Sequence, residues 1–110
     1  MSIKILIADD HRIMREGLRS LIAKQPGMEV VGEAETGRAA IKLTRQLRPD
    51  VIVMDIHMPD LNGLDASRQI IAQLPATKII AFSMHTAHQF VAEALKSGVS
   101  GYLQKDSAFE

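Results

Sequence analysis

Short apolar runs alternate with helix-period segments along this chain, and that alternation limits its fold more than any other feature. Ile3–Ala8 is rich in β-branched residues, ends against acidic residues and predicts a buried strand. His11–Gln25 follows with Met14, Leu18, Leu21 and Ile22 on one helical face, and Pro26-Gly27 stops it. Met28–Ala34 predicts a second strand around Val30-Val31. Gly37–Arg48 predicts a helix with Ala40, Leu43 and Leu47 on its stripe and Pro49 as terminator. Val51–Met54 predicts a strand apolar on both faces, followed by a loop over Ile56–Gly63 and a helix over Leu64–Leu74 that Pro75 ends. Thr77–Phe82 predicts another apolar strand. Ala87–Ser97 predicts a helix with Val91, Ala94 and Leu95 inward and Gly98 past its end, and Ser100–Gln104 predicts a last short strand.

Strand–helix alternation of this kind predicts an α/β fold, a doubly wound five-stranded parallel sheet with helices on both faces. Strands apolar along their whole length agree, because helices cover both faces. At 110 residues the chain has room for one domain and a modest core.

Composition removes several function classes. Thirteen basic and thirteen acidic residues balance to zero net charge, which argues against a basic nucleic-acid-binding face. The absence of cysteine excludes disulfide scaffolds, thiolate catalysis and cysteine-ligated zinc or iron–sulfur sites. Wholly apolar runs reach only four residues, as in Val51–Met54, so the expectation is no membrane span. Met1-Ser2-Ile3-Lys4 lacks a signal-peptide layout, and a cytoplasmic location is expected.

In open parallel sheets, sites form beyond the carboxyl ends of the strands. Here those ends carry Asp9-Asp10, Asp55, Ser83 and Lys105. Close carboxylates repel, by about 4 kcal/mol per pair at 4 Å and an effective dielectric near 20. A divalent cation relieves that repulsion, and an all-oxygen donor set favours Mg²⁺, with Mn²⁺ also suitable. Lys105 and Ser83 would add a cation and a hydroxyl for phosphoryl oxygens, so the crevice suits phosphoryl transfer onto a carboxylate. Each residue alone has a plainer explanation. Asp10 could cap the following helix, Asp55 could be a polar strand exit, Ser83 a turn hydroxyl, Lys105 a solvated cation and Asn62-Gly63 a turn. Their conjunction at matching strand ends favours a site.

The sequence resembles the response-regulator receiver domain of two-component signalling. The matching elements are Ile5-Leu6-Ile7-Ala8-Asp9-Asp10-His11, Asp55–Gly63, Phe82-Ser83 and Gly101-Tyr102-Leu103-Gln104-Lys105, which span nearly the whole chain. The resemblance implies a flavodoxin-like, CheY-like fold with Asp55 as phosphoacceptor and Asp9 and Asp10 holding Mg²⁺ together with Asp55 and the backbone carbonyl of His57. It implies that Ser83 and Lys105 contact the phosphoryl group and that Tyr102 is the switch aromatic coupled to Ser83. Ala8–His11, Val31-Gly32-Glu33-Ala34, Ser83-Met84-His85 and Lys105-Asp106 are similar to the NarL/FixJ subgroup, whose members usually carry a C-terminal LuxR-type helix-turn-helix domain. The implied partners are a histidine kinase, a second receiver in a dimer, and DNA only through an output domain outside this chain.

Some positions depart from the family pattern. Met84 stands after the hydroxyl where most receivers have a small residue, and it would tune access of small phosphodonors. His57 and His85 each lie two residues past a site residue, Asp55 and Ser83, and are candidates for tuning dephosphorylation, or else inert surface imidazoles. Asp106 replaces the usual proline after the lysine; a cis bond without proline costs about 3 kcal/mol, and both trans and strained cis stay open. The last helix is expected to be absent or truncated, with Ser107–Glu110 as its first turn, and the sheet face it would cover is expected to favour self-association.

Other functions fit less well. An aspartyl-phosphate hydrolase needs an Asp-x-Asp nucleophile motif after the first strand, and Asp9-Asp10-His11 does not supply it. A flavodoxin-like flavin or nucleotide binder needs a phosphate-cradling loop where this chain has acids. A receiver that serves only as an interaction module would not need all five signature residues.

Overall fold

The computed structural model describes residues 2–58, 60–83 and 98–104, with backbone alone for residues 83 and 102–104. Five parallel strands, β1 (Ile3–Ala8), β2 (Met28–Ala34), β3 (Val51–Asp55), β4 (Lys78–Ser83) and β5 (Gly101–Gln104), form one sheet in the order β2-β1-β3-β4-β5. Three helices connect the earlier strands: α1 (Arg12–Ala23), α2 (Gly37–Leu47) and α3 (Gly63–Gln73). The strand order and the parallel pairing agree with the expected flavodoxin-like fold. Among the described residues, no helix is long and apolar enough to cross a membrane. The predicted helix over Ala87–Ser97, the Lys105-Asp106 bond and the last-helix expectation lie outside the described residues.

Side-chain alternation along the strands divides the core into two layers. Leu6, Ala8, Ile52, Met54, Ile79 and Ala81 point toward α2 and α3. Ile5, Ile7 and Phe82 point the other way, where Leu18 of α1 meets them. Leu6, Ile7 and Ile52 are fully buried, each contributing about 1.5–3 kcal/mol of transfer free energy. The central strands are therefore apolar on both faces, as a covered parallel sheet requires. β2 is an edge strand, and its first two residues are exposed.

Local chemistry explains where the helices begin and end. Thr36 accepts a hydrogen bond from the Ala39 amide and starts α2. Arg48 closes α2 in the left-handed region at φ 46°, just before Pro49. Asn62 accepts from the Asp65 amide, so α3 starts at Gly63, one residue before the expected Leu64. One expectation is corrected. Leu21, placed on the inward stripe of α1, is 40% exposed, while Arg15 is buried beside Leu18. The guanidinium of Arg15 has partners inside the fold, described below.

Candidate acidic site at the switch point of the sheet

Chain direction across the sheet reverses at β1: it leads to β2 on one side and to β3 on the other. The gap this leaves opens at the carboxyl ends of β1 and β3, because the loops that follow diverge to opposite faces. Pairing of Ala8 with Met54 puts Asp9 and Asp55 side by side at that edge. Asp55 in turn pairs with Phe82, one residue before Ser83, and Ser83 pairs with Gln104, one residue before Lys105. The backbone thus brings four of the sequence-predicted strand ends to one edge. The side chains of Ser83 and Tyr102, and the whole of Met84, His85 and Lys105, lie outside the described residues.

β1 ends at Ala8, so Asp9 and Asp10 are free of strand alternation and need not point to opposite faces. Their carboxylates, that of Asp55 and the imidazole of His11 offer one ligand atom each, all within 4.8 Å of one another. Asp9 is 1% exposed and Asp55 2%. The Asp9 carboxylate is held locally: Oδ1 accepts from the His11 amide at 2.8 Å and lies 3.0 Å from His11 Nδ1. The same Nδ1 lies 3.1 Å from Asp10 Oδ1. His11 occupies the N-cap position of α1 without a side-chain cap bond, and Asp10, offered by its position as a cap, is not the cap residue.

Asp55 is fixed from its own loop. The His57 amide donates to its Oδ1 at 3.1 Å, and the Ile56 amide donates to Phe82 O at 3.1 Å, tying the loop to β4. His57 is an exposed residue. Gly63 closes the loop by donating to Ile56 O at 2.8 Å. A Cβ on Gly63 would lie 2.8 Å from both the Asp55 carbonyl carbon and Ile56 Cα, and would overlap the Asp55 carbonyl oxygen. Glycine at this position is what lets α3 start directly against the strand that carries Asp55.

Two residues belong to the site's surroundings that sequence reasoning left without a role. Arg15 donates from Nη1 to Asp9 O at 2.7 Å, from Nε to Glu33 Oε1 at 3.1 Å and from Nη2 to Glu35 Oε1 at 3.2 Å. It pins the backbone of Asp9 to the end of β2. The other is His11, whose ring nitrogen faces both carboxylates. Its place next to Asp9-Asp10 was the signal that could have found it.

The donor set fits a hard divalent cation. Three carboxylates with ligand atoms this close repel unless positive charge lies among them, and carboxylate oxygens are the ligands Mg²⁺ and Mn²⁺ take. Residues 5–110 match the family described as the response regulator receiver domain. The chain is similar to the transcriptional regulatory protein DegU of Brevibacillus brevis, with 43% identity over 104 residues, covering 94% of this chain and 44% of that protein. In structure it is similar to a two-component response regulator of the LuxR family from Aurantimonas sp. SI85-9A1 (TM-score 0.91, 40% identity, 96% of this chain and 75% of that one). It is also similar to the response regulator domain of Thermotoga maritima CheB (TM-score 0.89, 38% identity, 94% and 78%). The chain spans about half the length, or less, of the curated relatives it matches. A parallel sheet in this order, an acid cluster at its switch point and a family match over nearly every residue agree: the chain belongs to the response regulator receiver domain family, among its NarL/FixJ-type members.

Proposed function

We propose that the chain is a phosphorylation switch that accepts a phosphoryl group on Asp55 from a phosphohistidine of a histidine kinase. In that transfer the N–P bond of the donor breaks and an O–P bond to the Asp55 carboxylate forms. The observation that carries the proposal is the gathering of Asp9, Asp10 and Asp55 ligand atoms within 4.8 Å at the β1/β3 switch point. A Mg²⁺ ion held by Asp9, Asp10, Asp55 and the His57 carbonyl, with Mn²⁺ as a substitute, would neutralise the carboxylates and offer a coordination site to a phosphoryl oxygen. Asp55 is the nucleophile, and its bond from the His57 amide sets the rotation of its carboxylate. Ser83 and Lys105 contact the remaining phosphoryl oxygens, and movement of Ser83 toward them draws Tyr102 inward as the conformational output.

The chain catalyses no other turnover in this reading; at most it promotes its own phosphorylation and dephosphorylation. His57, Met84 and His85 tune those rates. If the phospho-Asp55 lifetime is the same in His57→Ala and His85→Ala as in the wild type, the two imidazoles have no such role. Residues 1–110 form the receiver part of a longer cytoplasmic protein, supported by the length of its relatives. That protein regulates transcription through a LuxR-type DNA-binding output domain and dimerises through receivers. Incubation with Mg²⁺ and acetyl phosphate tests the core of this reading: a base-labile, acid-stable adduct is expected in the wild type and not in Asp55→Asn.

A further inference from the structure

We infer that His11 is a metal ligand of the acidic pocket, and that it shifts the pocket's preference toward nitrogen-seeking divalent ions such as Co²⁺, Ni²⁺ and Zn²⁺. The inference rests on the pocket holding a divalent cation, as proposed above. Its basis is the position of one atom. His11 Nδ1 lies 3.0 Å from Asp9 Oδ1 and 3.1 Å from Asp10 Oδ1. Adjacent ligands of an octahedron with bonds near 2.1 Å are separated by roughly 3.0 Å, so the nitrogen already stands at that spacing from both carboxylate oxygens, two of the three edges of an octahedral face. The span of the whole group, 4.8 Å, exceeds the roughly 4.2 Å that trans ligands allow by about 0.6 Å. Asp10 and His11 can supply that contraction, because their side chains are 31% and 65% exposed.

The backbone of His11 is also tied to the pocket: its amide donates to Asp9 Oδ1 at 2.8 Å, which holds the residue's Cα beside the carboxylate while the ring stays free to adjust. An imidazole nitrogen among carboxylates changes which ions are favoured. Carboxylates suit Mg²⁺ and Mn²⁺, whereas imidazole adds little for Mg²⁺ and much for Co²⁺, Ni²⁺ and Zn²⁺. The receiver would then bind such ions in competition with Mg²⁺ at the place where the phosphoryl group is received. An increase in the free concentration of these ions would alter phosphorylation directly at the pocket.

The test is metal binding by the purified protein, with Mg²⁺ alone and Co²⁺ alone as probes. Calorimetric titration compares wild type, His11→Ala, His11→Asn and Asp9→Asn, and proton NMR of the Co²⁺-loaded protein looks for contact-shifted histidine ring signals. The expected result is a loss of about tenfold or more in Co²⁺ affinity in both His11 variants, with Mg²⁺ affinity changed less than about threefold. A contact-shifted ring signal should be present in the wild type and in His57→Ala, and absent in His11→Ala. Equal Co²⁺ affinity in wild type and His11→Ala, with no shifted signal, would overturn the inference and make the 3.0 Å contact a hydrogen bond only. Equal losses for both ions would also overturn it, since His11 would then act by holding the carboxylates. Binding of both ions unaffected by Asp9→Asn is a different failure, of the pocket itself.

Discussion

Gly63→Ala is expected to destabilise the protein through the very contact that sets the Asp55 loop. The added Cβ would sit 2.8 Å from the Asp55 carbonyl carbon and from Ile56 Cα, against an ordinary contact limit of 3.4 Å. Neither neighbour can move freely. Asp55 ends a central strand, and Ile56 is tied to Phe82 O at 3.1 Å and to the Gly63 amide at 2.8 Å. α3 cannot slide away without uncovering Ala66 and Ile70, both buried in the larger core layer. Overpacking against fixed backbone costs about 3 kcal/mol, the upper part of the usual range. Replacing glycine by alanine in a helix returns about 1 kcal/mol. The net loss is about 2 kcal/mol, or roughly 10 °C in Tm for a domain of this size. Thermal unfolding by circular dichroism measures it. Gly27→Ala is the control: Gly27 has φ 83° with nothing within 4 Å of a Cβ, so only the left-handed backbone is penalised, by about 1 kcal/mol. Gly63→Ala should also slow phosphorylation of Asp55, and Gly27→Ala should not. If Gly63→Ala melts within about 2 °C of wild type, or above Gly27→Ala, the steric reasoning is wrong.

Three further substitutions test other parts of the fold. Arg15→Met keeps the buried stem but removes three hydrogen bonds, and urea titration should show a loss of about 2 kcal/mol, held down by the exposure of Glu33 and Glu35. Asn62→Ala removes the cap of α3 and should cost about 1 kcal/mol by the same measurement. Arg48→Gly relieves a left-handed non-glycine residue at φ 46° and should raise stability by about 0.5–1 kcal/mol, seen as a Tm increase of a few degrees.

Much of this fold was legible because the central strands are apolar on both faces, a pattern that a covered parallel sheet requires, and because helix-period segments stand between them. Ile5–Ala8 and Val51–Met54 showed it in sequence, and both are paired at the sheet's centre. Boundaries were less legible. β4 begins at Lys78 because Thr77, which reads as strand, spends its amide on Leu74 O at 3.0 Å in the turn after α3, and the first amide directed across to the β3 side is that of Lys78, to Asp50 O at 3.0 Å. The Asp9–Asp10–Asp55 cluster could be found from strand ends alone, since the topology dictates which ends meet. The burial of Arg15 could not. Its partners Glu33 and Glu35 lie 18 and 20 residues away, and an arginine on an amphipathic helix reads as surface until the fold brings them together. His11 was legible only in part: its place next to Asp9-Asp10 pointed to the pocket, whereas the approach of its ring nitrogen to both carboxylates comes from the fold.

The most direct test of the central proposal is intact-protein mass measurement after incubation with Mg²⁺ and acetyl phosphate. Wild type should gain the mass of one phosphoryl group, and the gain should vanish in Asp55→Asn and when Mg²⁺ is chelated. A gain that persists in Asp55→Asn, or that ignores the removal of Mg²⁺, would contradict the assignment of Asp55 as acceptor in a metal-dependent pocket.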